Sequence, residues 1–342
     1  PTAPRQLLSI ILPAYNEQEV LPLTHSRFSG IVPALNALGL DLELIFVNDG
    51  SKDRTSSMLD EMADKDSNVR VVHLTRNFGH QAAITAGITV ARGDVIAIMD
   101  CDLQDPPEVL PKFLEKWREG FQVVYAVRRK RKENIFKRTA YWSFYRLMGA
   151  IAELDIPLDS GDFCVMDRSA VNLLNHLPER QRFVRGLRTW VGLKQTGVEY
   201  ERDARAAGIP QYTLRKLFNL AADGLVSFSS VPLKLVMRLG LLGLFAAGLM
   251  MLWILGVTIW EWNNPGGRTP RGWASTAAIV LVMSSVQLLS LGVIGEYLSR
   301  IFIEVKGRPT FLIGSINERG SRITPDPAKL DSLRTPRSTS KQ

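Results

Sequence analysis

The chain has 342 residues and a formal net charge of +8, and hydrophobic residues make up 46% of it. Its two cysteines, Cys101 and Cys164, form no CxxC pair, and its four histidines lack the spacing of metal ligands, which excludes disulfide scaffolds and zinc sites. One Arg and a very short apolar run at the start do not make a signal peptide.

Five short apolar runs alternate with helical stretches in the first 130 residues. The predicted strands are Leu7–Leu12, Leu42–Val47, Val69–Leu74, Val95–Met99 and Val123–Val127. The predicted helices run from about Glu17 to Leu38, from about Asp53, from about His80 to Ala91 and from about Pro107 to Glu119. Continuous Val, Ile and Leu strands between helices are typical of a parallel sheet covered on both faces. We therefore expect an α/β fold that binds ligands beyond the carboxyl ends of its strands.

A strongly acidic segment follows the fourth predicted strand. Asp100, Asp102 and Gln104 are spaced at i, i+2 and i+4, so in an extended segment their side chains point the same way. Oxygen ligands of this kind suit a hard divalent cation and its diphosphate. The alternative is a polar loop in which an Asp caps the helix that begins near Pro107. At the end of a central strand we favour the metal site.

Polar segments also follow the first three predicted strands, as PAYNE, NDGSKD and TRNFGH. Asp49, directly after the second strand, is placed to accept a hydrogen bond from a base or ribose, whereas Asp53 is expected to cap the next helix. A GxGxxG motif and a Walker P-loop are absent from the sequence, which disfavours NAD binding and ATP hydrolysis.

A basic run follows the fifth predicted strand. Seven cations and one anion lie between Arg128 and Arg138, and the rest of the chain is nearly neutral. This run can be a solvated face or a face attracted to anionic lipid. Arg128, the first residue after the strand, is expected to bind a phosphate beside the acidic loop. Nucleic-acid binding is not expected, because no aromatic residues interleave the segment RRKRK at 128–132 and the rest of the chain is nearly neutral.

Two uncharged runs, Leu239–Trp260 and Trp273–Gly295, have 22 and 23 residues. Each spans roughly 33 Å as a helix, which matches a bilayer core. The connector Glu261–Gly272 carries only two cations, fewer than the flanking segments, so both ends of the hairpin are expected in the cytoplasm. Tyr212–Leu233 is expected to be an amphipathic interfacial helix, with a packed surface helix as the alternative.

This organisation gives five regions. They are a cytoplasmic α/β domain (1–210), an interfacial helix (211–233), a transmembrane hairpin (234–298), a cytoplasmic juxtamembrane segment (299–320) and a disordered, Ser/Thr/Pro/Arg-rich tail (321–342).

The segments PAYNE, VNDGSKD, LTRNFG and MDCDLQDP together resemble the motifs of inverting GT-A glycosyltransferases of family 2. GDFCVMDR, ERQRFVRGLRTWVG and ERDARAAG, followed by two spans and GEYLSRIFIEVKGRP, are similar to those of polyprenyl-phosphate glycosyltransferases. Within that family the motifs look most like those of bactoprenol glucosyl transferases, with dolichol-phosphate-mannose synthases more distant. The resemblance covers about residues 7–311 and implies a Rossmann-like, mainly parallel sheet.

The resemblance also implies roles for particular residues. Asp100, Asp102 and Gln104 would carry Mg²⁺ or Mn²⁺. Pro13, Tyr15, Glu17, Asp49 and Asp100 would line the donor nucleotide site. The catalytic group would be completed by Arg128, Arg138 and Arg205, which would hold the acceptor phosphate beside Asp102. The chain departs from the usual Gly-x-Ser-Lys-Tyr pattern, because Pro210 and Gln211 replace the Ser-Lys pair, so a hydroxyl and a cation are lost near the acceptor.

The implied reaction is transfer of one hexose, with inversion, to undecaprenyl or another polyprenyl phosphate at the cytoplasmic face of the inner membrane. Glucose from UDP-glucose is the favoured donor, and a homo-oligomer such as a tetramer is expected. One alternative is the same reaction with mannose, a modified arabinose or an N-acetylhexosamine. Another is a processive family 2 polysaccharide synthase, whose Gln-x-x-Arg-Trp motif Arg188-Thr189-Trp190 only approximates. The non-enzymatic alternative is a membrane scaffold that binds nucleotide sugars.

Overall fold

The computed structural model describes residues 5–128, 160–180, 182–201, 231–263 and 273–326. These residues fall into two compact units. One is an α/β unit that combines the residues up to 201 with those from 307 onward, and the other is a helical unit within 231–306. The residues from 307 onward were not expected to join the α/β unit.

The α/β unit is built on a nine-stranded mixed sheet. Its strands are β1 (Gln6–Ala14), β2 (Leu40–Asn48), β3 (Val69–Leu74), β4 (Val95–Ile98), β5 (Val123–Arg128), β6 (Ser160–Asp167), β7 (Gln195–Tyr200), β8 (Ile313–Glu318) and β9 (Ser321–Ile323). Their order is β7-β5-β6-β4-β1-β2-β3-β8-β9. The central strands β4, β1, β2 and β3 are parallel, which confirms the α/β class and the parallel core.

Seven helices accompany the sheet among the described residues of this unit. They are α1 (Leu21–Gly30), α2 (Val32–Ala37), α3 (Thr55–Lys65), α4 (His80–Val90), α5 (Leu110–Arg118), α6 (Arg168–His176) and α7 (Val184–Trp190). The single helix predicted for 17–38 is two helices that meet at Ile31, and Pro33 occupies the first turn of α2, where its missing N–H leaves no carbonyl unpaired. The helix predicted from Pro107 begins with a 3₁₀ turn, Pro107–Val109.

The central strands are buried on both faces, as their unbroken apolar sequences require. On one face, Leu8, Ile10 and Leu12 belong to a core that also includes residues of α1, α2, α3 and α5. On the other face α4 packs against Ile11 so closely that a Cβ on Gly87 would lie 2.3 Å from the Ile11 Cγ2. The close approach of α4 to β1 therefore depends on glycine at position 87.

Strand β6 changes the surroundings of the fifth predicted strand. It lies between β4 and β5 and is antiparallel to both. β5 consequently still runs in the same direction as β4, but the two strands are separated by β6, about 9–10 Å in all. Arg128 pairs in register with Tyr200 of β7, whose hydroxyl donates a hydrogen bond to Asp105 after β4. The expected position of the Arg128 side chain beside the acidic loop stays a prediction.

The chain returns to the sheet after the helical unit. β8 pairs antiparallel with β3, and β9 pairs antiparallel with β8. These strands replace part of the juxtamembrane segment predicted for 299–320 and the first residues of the tail predicted for 321–342. The prediction of disorder is wrong for Ser321–Ile323, because these residues complete a hairpin, and residues 327–342 lie outside the described residues.

The helical unit consists of α8 (Val231–Asn263) and α9 (Trp273–Lys306), with 33 and 34 residues. Within the described residues, one helical segment, Val282–Lys306, is long and apolar enough to cross a bilayer, with a mean hydropathy of 1.4. A shorter apolar stretch, Val236–Met250, lies in α8. The helix that contains this segment begins at Trp273, where the second span was predicted to begin, and the two-span hairpin stays a prediction. Most of the predicted interfacial helix lies outside the described residues.

Buried charges join β8 to the parallel sheet near the amino ends of its strands. Arg70 is 2% exposed and lies 3.6 Å from Glu43 and 3.8 Å from Glu318. Arg92 donates two hydrogen bonds to the Glu318 carboxylate, at 2.6 and 2.8 Å, and the Ser9 hydroxyl donates one to Glu43. Burial opposes ionisation of Glu318, but Arg92 outweighs it and lowers the pKa of that carboxyl. The charges in this cluster thus depend on one another.

Replacing Arg70 with Met is expected to destabilise the α/β unit by about 3 kcal/mol, because it leaves Glu43 and Glu318 buried with less positive charge nearby. Thermal and urea unfolding of the detergent-solubilised chain measure the change. The control is Arg5→Met, since Arg5 forms an exposed pair with Asp41 and its loss is expected to cost less than about 1 kcal/mol. Equal stability of the two variants would contradict this account of the cluster.

Candidate active site

Four loops converge at the carboxyl ends of β1, β2, β3 and β4, and hydrogen bonds join the first loop to the second. The backbone N–H of Asn16 donates to the Ser51 hydroxyl at 3.0 Å, and the Asn16 side-chain oxygen accepts from the N–H of Lys52 at 2.8 Å. The Glu17 N–H donates to the Thr55 hydroxyl at 2.8 Å. The first two polar segments predicted from the sequence therefore form one surface.

Asp49 joins the second loop to the third. It is 3% exposed, and its two carboxylate oxygens accept hydrogen bonds from the N–H groups of Phe78 and Gly79 at 2.7 and 2.9 Å. Burial raises the pKa of Asp49, and these bonds offset the rise only in part. Both Asp49 oxygens thus already bind the backbone of the third loop. The predicted contact of Asp49 with a base or ribose remains a proposal.

Gly50 allows the second and third loops to come this close. Its φ is +66°, and a Cβ at this position would lie 2.5 Å from the backbone of Arg76 and Asn77. An L side chain would meet both a strained backbone conformation and a steric overlap.

The three predicted residues of the PAYNE segment differ in exposure. Pro13 is buried within β1, where it is in register with Val47. Tyr15 is 41% exposed, and Glu17 is half-buried. Of these three, Tyr15 and Glu17 therefore reach the surface, whereas Pro13 belongs to the strand that directs them.

The acidic loop turns sharply instead of continuing the strand. β4 ends at Ile98, residues 101–105 form turns and bends, and Leu103 has a φ of +56°. The expectation of an extended segment from Asp100 to Gln104 is wrong, because the left-handed residue between Asp102 and Gln104 breaks the alternation of side chains. A simple i, i+2, i+4 argument therefore does not apply beyond Asp100.

Buried contacts hold this loop in place. The Thr24 hydroxyl of α1 donates to the Cys101 carbonyl at 2.8 Å, and the N–H of Gln104 donates to the Asp102 carboxylate at 3.1 Å. Asp105 is 2% exposed and accepts a hydrogen bond from the Tyr200 hydroxyl at the end of β7. The loop is thus anchored both on α1 and on the strand that leads into the ERDARAAG segment.

Negative charge accumulates around Asp100. Its side chain is 34% exposed, and burial raises its pKa to about 6. His80 opposes this rise, whereas the carboxylates of Asp105, Asp102 and Asp162 add to it. Burial and neighbouring negative charge therefore both disfavour the ionised form of Asp100.

His80 and Asp162 belong to the site but were not among the predicted site residues. The His80 Nε2 lies 3.6 Å from an Asp100 oxygen and 3.6 Å from an Asp162 oxygen. Burial lowers the pKa of His80, but the bond to Asp162 and the nearby carboxylates outweigh it and raise that pKa. His80 thus lies between two carboxylates that favour its protonated form.

Asp162 also connects β6 to α4 and α7. It accepts hydrogen bonds from Gln81 at 3.2 Å and from Arg185 at 3.3 Å, and Gln81 in turn accepts one from the N–H of Val184 at 3.0 Å. Burial opposes ionisation of Asp162, but His80 and Arg185 hold its pKa well below the usual range. Asp162 is therefore a fixed anion with occupied oxygens.

The expectation that functional residues follow strands explains why Asp162 was missed. Asp162 lies near the start of β6, and an antiparallel strand brings its amino end to the edge where parallel strands end. A sequence signal existed, because the GDFCVMDR motif was recognised through the resemblance. His80 was set aside for lack of ligand spacing, although it follows the third strand directly and begins α4.

Of the three arginines predicted to hold the acceptor phosphate, the structure describes one. The backbone of Arg128 ends β5, while Arg138 and Arg205 lie outside the described residues. Cys101 and Cys164 are buried, and burial raises the pKa of both thiols, so both are packing residues of the α/β unit.

The donor chemistry of the acidic loop fits a divalent cation. Within the described part of the chain, His, Cys, Asp and Glu side chains form no ready-made group of three that could hold a metal. Asp100, Asp102 and Gln104 nevertheless offer the carboxylate and amide oxygens that Mg²⁺ and Mn²⁺ prefer. Burial, reinforced by neighbouring carboxylates, raises the pKa of Asp100, and a bound cation would favour its ionised form.

Comparisons with known proteins agree with these motifs. Residues 9–174 match the family described as glycosyl transferase family 2. "Uncharacterized glycosyltransferase YkcC" of Bacillus subtilis (strain 168) is 45% identical over 306 residues, covering 89% of this chain and 92% of the relative. "Bactoprenol glucosyl transferase" of Shigella phage SfX is 38% identical over 313 residues, covering 90% and 99%. A solved mannosyltransferase from Pyrobaculum calidifontis, in complex with GDP-Man and Mn²⁺, aligns with 87% of this chain and 88% of that chain, at a TM-score of 0.46 and 18% identity.

Replacing Asp100 with Asn is expected to stabilise the metal-free protein above pH 6. The folded-state pKa of about 6 exceeds the usual value of 3.8, so the contribution of Asp100 to stability falls as the pH rises through this window. After allowance for solvent screening, the gain at pH 7.5 is on the order of 1 kcal/mol, and it vanishes near pH 4. Thermal unfolding in EDTA across this range measures it.

The control is Asp41→Asn, an exposed carboxylate near the opposite ends of the strands, whose effect is expected to stay within about 0.5 kcal/mol. A pH-independent difference between wild type and Asp100→Asn would contradict the electrostatic explanation.

Proposed function

This chain belongs to glycosyl transferase family 2 and its α/β unit has the GT-A fold, and from that premise we propose that it transfers one glucose from UDP-glucose to a polyprenyl phosphate such as undecaprenyl phosphate. The observation that carries the proposal is the single surface formed by the PAYNE and NDGSKD loops with the acidic loop at the carboxyl ends of β1, β2 and β4. The relative named bactoprenol glucosyl transferase, matched over 99% of its length, supports this acceptor class.

The proposed acceptor needs no catalytic base. A phosphate monoester has a second pKa of about 6, so its oxygen is already negatively charged at neutral pH. That oxygen attacks C1 of the glucose while the bond from C1 to the UDP oxygen breaks, which inverts the configuration and releases UDP. The fixed, strongly acidic Asp162 is consistent with this chemistry, because a carboxyl with a low pKa and occupied oxygens is a poor proton acceptor.

The donor would be bound by the loops already described. Tyr15, Glu17 and Asp49, with Pro13 behind them, would line the nucleotide site. Asp100, Asp102 and Gln104 would hold Mg²⁺ or Mn²⁺, and that cation, when bound, supplies positive charge to the diphosphate leaving group. His80 lies between Asp100 and Asp162 on the same edge.

Arginines would hold the acceptor phosphate. Arg128 leaves β5 toward the carboxyl ends of the parallel strands, and Arg138 and Arg205 are proposed to join it. A guanidinium binds phosphate through two parallel hydrogen bonds and remains charged at all physiological pH values. These cations would lower the repulsion between the two anionic substrates, and Pro210 and Gln211 would replace the Ser-Lys pair nearby.

A membrane location follows from the proposed acceptor, which is a lipid. The segment Val282–Lys306 supports attachment to a bilayer. We propose that α8 and α9 together span the inner membrane as a hairpin with the α/β unit on the cytoplasmic side, and that the protein is a homo-oligomer such as a tetramer.

Purified full-length protein with undecaprenyl phosphate, Mg²⁺ or Mn²⁺ and a panel of UDP- and GDP-sugars is expected to release UDP and form one lipid product. Mass spectrometry of that lipid is expected to show the addition of a single hexose. Chains of several sugars would replace the proposal with a processive synthase. Nucleotide binding without turnover on any donor would favour the scaffold alternative.

Asp102→Asn is expected to abolish this transfer while the protein remains folded, because the acidic loop loses a ligand for the cation. The matched control is Glu108→Gln, which removes a carboxylate just beyond the loop that pairs with Arg27 on the surface and is expected to retain activity. Full activity of Asp102→Asn would refute the proposed metal role.

Arg128→Ala is expected to raise the KM for the lipid phosphate, or to lower kcat, by about tenfold to a hundredfold, the effect of losing a charge-assisted hydrogen bond. UDP affinity, measured by calorimetry, is expected to change less than about twofold. The exposed Arg118 supplies a matched control, Arg118→Ala, with little effect on either quantity. An equal loss of UDP affinity in Arg128→Ala would contradict its assignment to the acceptor.

A further inference from the structure

Strands β8 and β9 form a hairpin, residues 313–323, which we call the C-terminal hairpin. It follows α9 in the chain and pairs with β3, so it forms one edge of the sheet that carries the candidate active site. None of its residues reaches the four loops directly through a described hydrogen bond. Its side chains instead contact α3, which follows the second loop.

A chain of polar side chains runs from this hairpin into the sheet. Asn317 is 6% exposed and donates hydrogen bonds to Asp60 at 2.9 Å and to Asp64 at 3.3 Å, both on α3. The Asp60 carboxylate also lies 3.0 Å from the Nε2 of His73, and Arg322 lies 3.9 Å from its other oxygen. The hairpin therefore contributes two of the groups that surround Asp60.

His73 continues the chain to the second loop. It lies on β3, is 6% exposed, and its Nδ1 is 3.0 Å from the side-chain nitrogen of Asn48, with the Ser56 hydroxyl at 3.4 Å. The Asn48 oxygen accepts a hydrogen bond from the N–H of Ser51 at 3.0 Å. Ser51 is the residue whose hydroxyl binds the backbone of Asn16 in the first loop.

The directions of these bonds fix one form of His73. Because the Asn48 oxygen accepts from Ser51, its amide nitrogen must donate, so the His73 Nδ1 is the acceptor. The proton is then on Nε2, which donates to Asp60. A neutral imidazole of this tautomer satisfies both neighbours, whereas a side chain without two ring nitrogens leaves Asn48 and Asp60 without their partner.

We propose that the C-terminal hairpin positions the nucleotide-binding loops through Asn317, Asp60, His73 and Asn48, with His73 as the positioning residue. The proposal rests on the proposed function, which assigns the donor nucleotide to these loops. Asn48 precedes Asp49 and controls the turn through Ser51, and that turn in turn fixes the PAYNE loop through Asn16. A loosened Asn48 side chain therefore weakens donor binding without removing any group that contacts the sugar or the acceptor.

The test compares full-length wild type with His73→Phe and Asn317→Ala. His73→Phe keeps a ring but removes both nitrogens, and Asn317→Ala removes only the contact from the hairpin. Hydrogen–deuterium exchange of residues 48–54 in nucleotide-free protein is expected to rise by about fivefold to tenfold in both variants, as expected for one lost hydrogen bond. The Kd for UDP with Mg²⁺, by calorimetry, is expected to rise by a similar factor, while kcat at saturating donor stays within about twofold of wild type.

The matched control is Glu318→Gln, the next residue of the same strand. Glu318 binds Arg92 and Arg70 near the other ends of the strands, so its variant loosens the attachment of β8 without interrupting the polar chain. It is expected to lower Tm but to leave exchange of residues 48–54 and the UDP Kd unchanged. If Glu318→Gln changes both as much as Asn317→Ala does, general destabilisation explains the effect and the proposal is overturned.

Other results also decide the proposal. Unchanged exchange and UDP affinity in Asn317→Ala would remove the hairpin from the chain of contacts, and that variant is decisive if His73→Phe does not fold. If wild type binds no UDP and transfers no sugar, the proposed function fails, while the exchange measurement still decides whether the hairpin orders residues 48–54.

Discussion

Concentrated negative charge at the ends of the parallel strands is the constraint on which the site depends. Asp100, Asp102, Asp105 and Asp162 all contribute to it, and burial, reinforced by the other three carboxylates, raises the pKa of Asp100 to about 6. Two basic side chains flank these carboxylates. His80 lies beside Asp100 at the start of α4, and Arg185 of α7 pairs with Asp162. The acidic loop itself is anchored by uncharged donors, the hydroxyls of Thr24 and Tyr200, which hold its shape without cancelling its charge.

This distribution of charge suits a reaction between two anions. An acidic loop that protein cations fully neutralised would attract a divalent ion less strongly. Without His80 and Arg185, in contrast, Asp162 would keep the hydrogen bond from Gln81 but would lose the basic groups that favour its ionised form. The structure keeps Asp162 paired and Asp100 underpaired. The difference between these two carboxylates separates a structural anion from a candidate ligand, although both lie beside the same histidine.

The sequence was most informative where chain order and spatial order agree. The first five strands, the four helical regions between them and the polar loops after the first four strands were all predictable, because unbroken apolar runs and short helices leave a parallel sheet few alternatives. The position of β6 was not predictable in this way, since an antiparallel strand inserted from later in the chain has no local signal for its neighbours. Asp162 was missed for that reason, and the separation of β5 from β4 was not foreseen. The turn at Leu103 was also not predictable, because leucine seldom adopts a positive φ and the neighbouring residues give no signal for a turn.

The return of the chain to β3 has a consequence for how the protein is made. Synthesis proceeds from the amino end, so β3 is complete long before β8, and the whole helical unit is synthesised between them. Until β8 emerges, β3 presents an unpaired strand edge, which can pair with other chains. Arg70 and Arg92 likewise lack their charge partner Glu318 at that stage, because Glu318 is synthesised more than two hundred residues later. Completion of the α/β unit therefore depends on synthesis of the helical unit first. The α/β unit acquires its last strands only after α8 and α9 have left the ribosome, so a chain that stops before the hairpin ends with an open sheet.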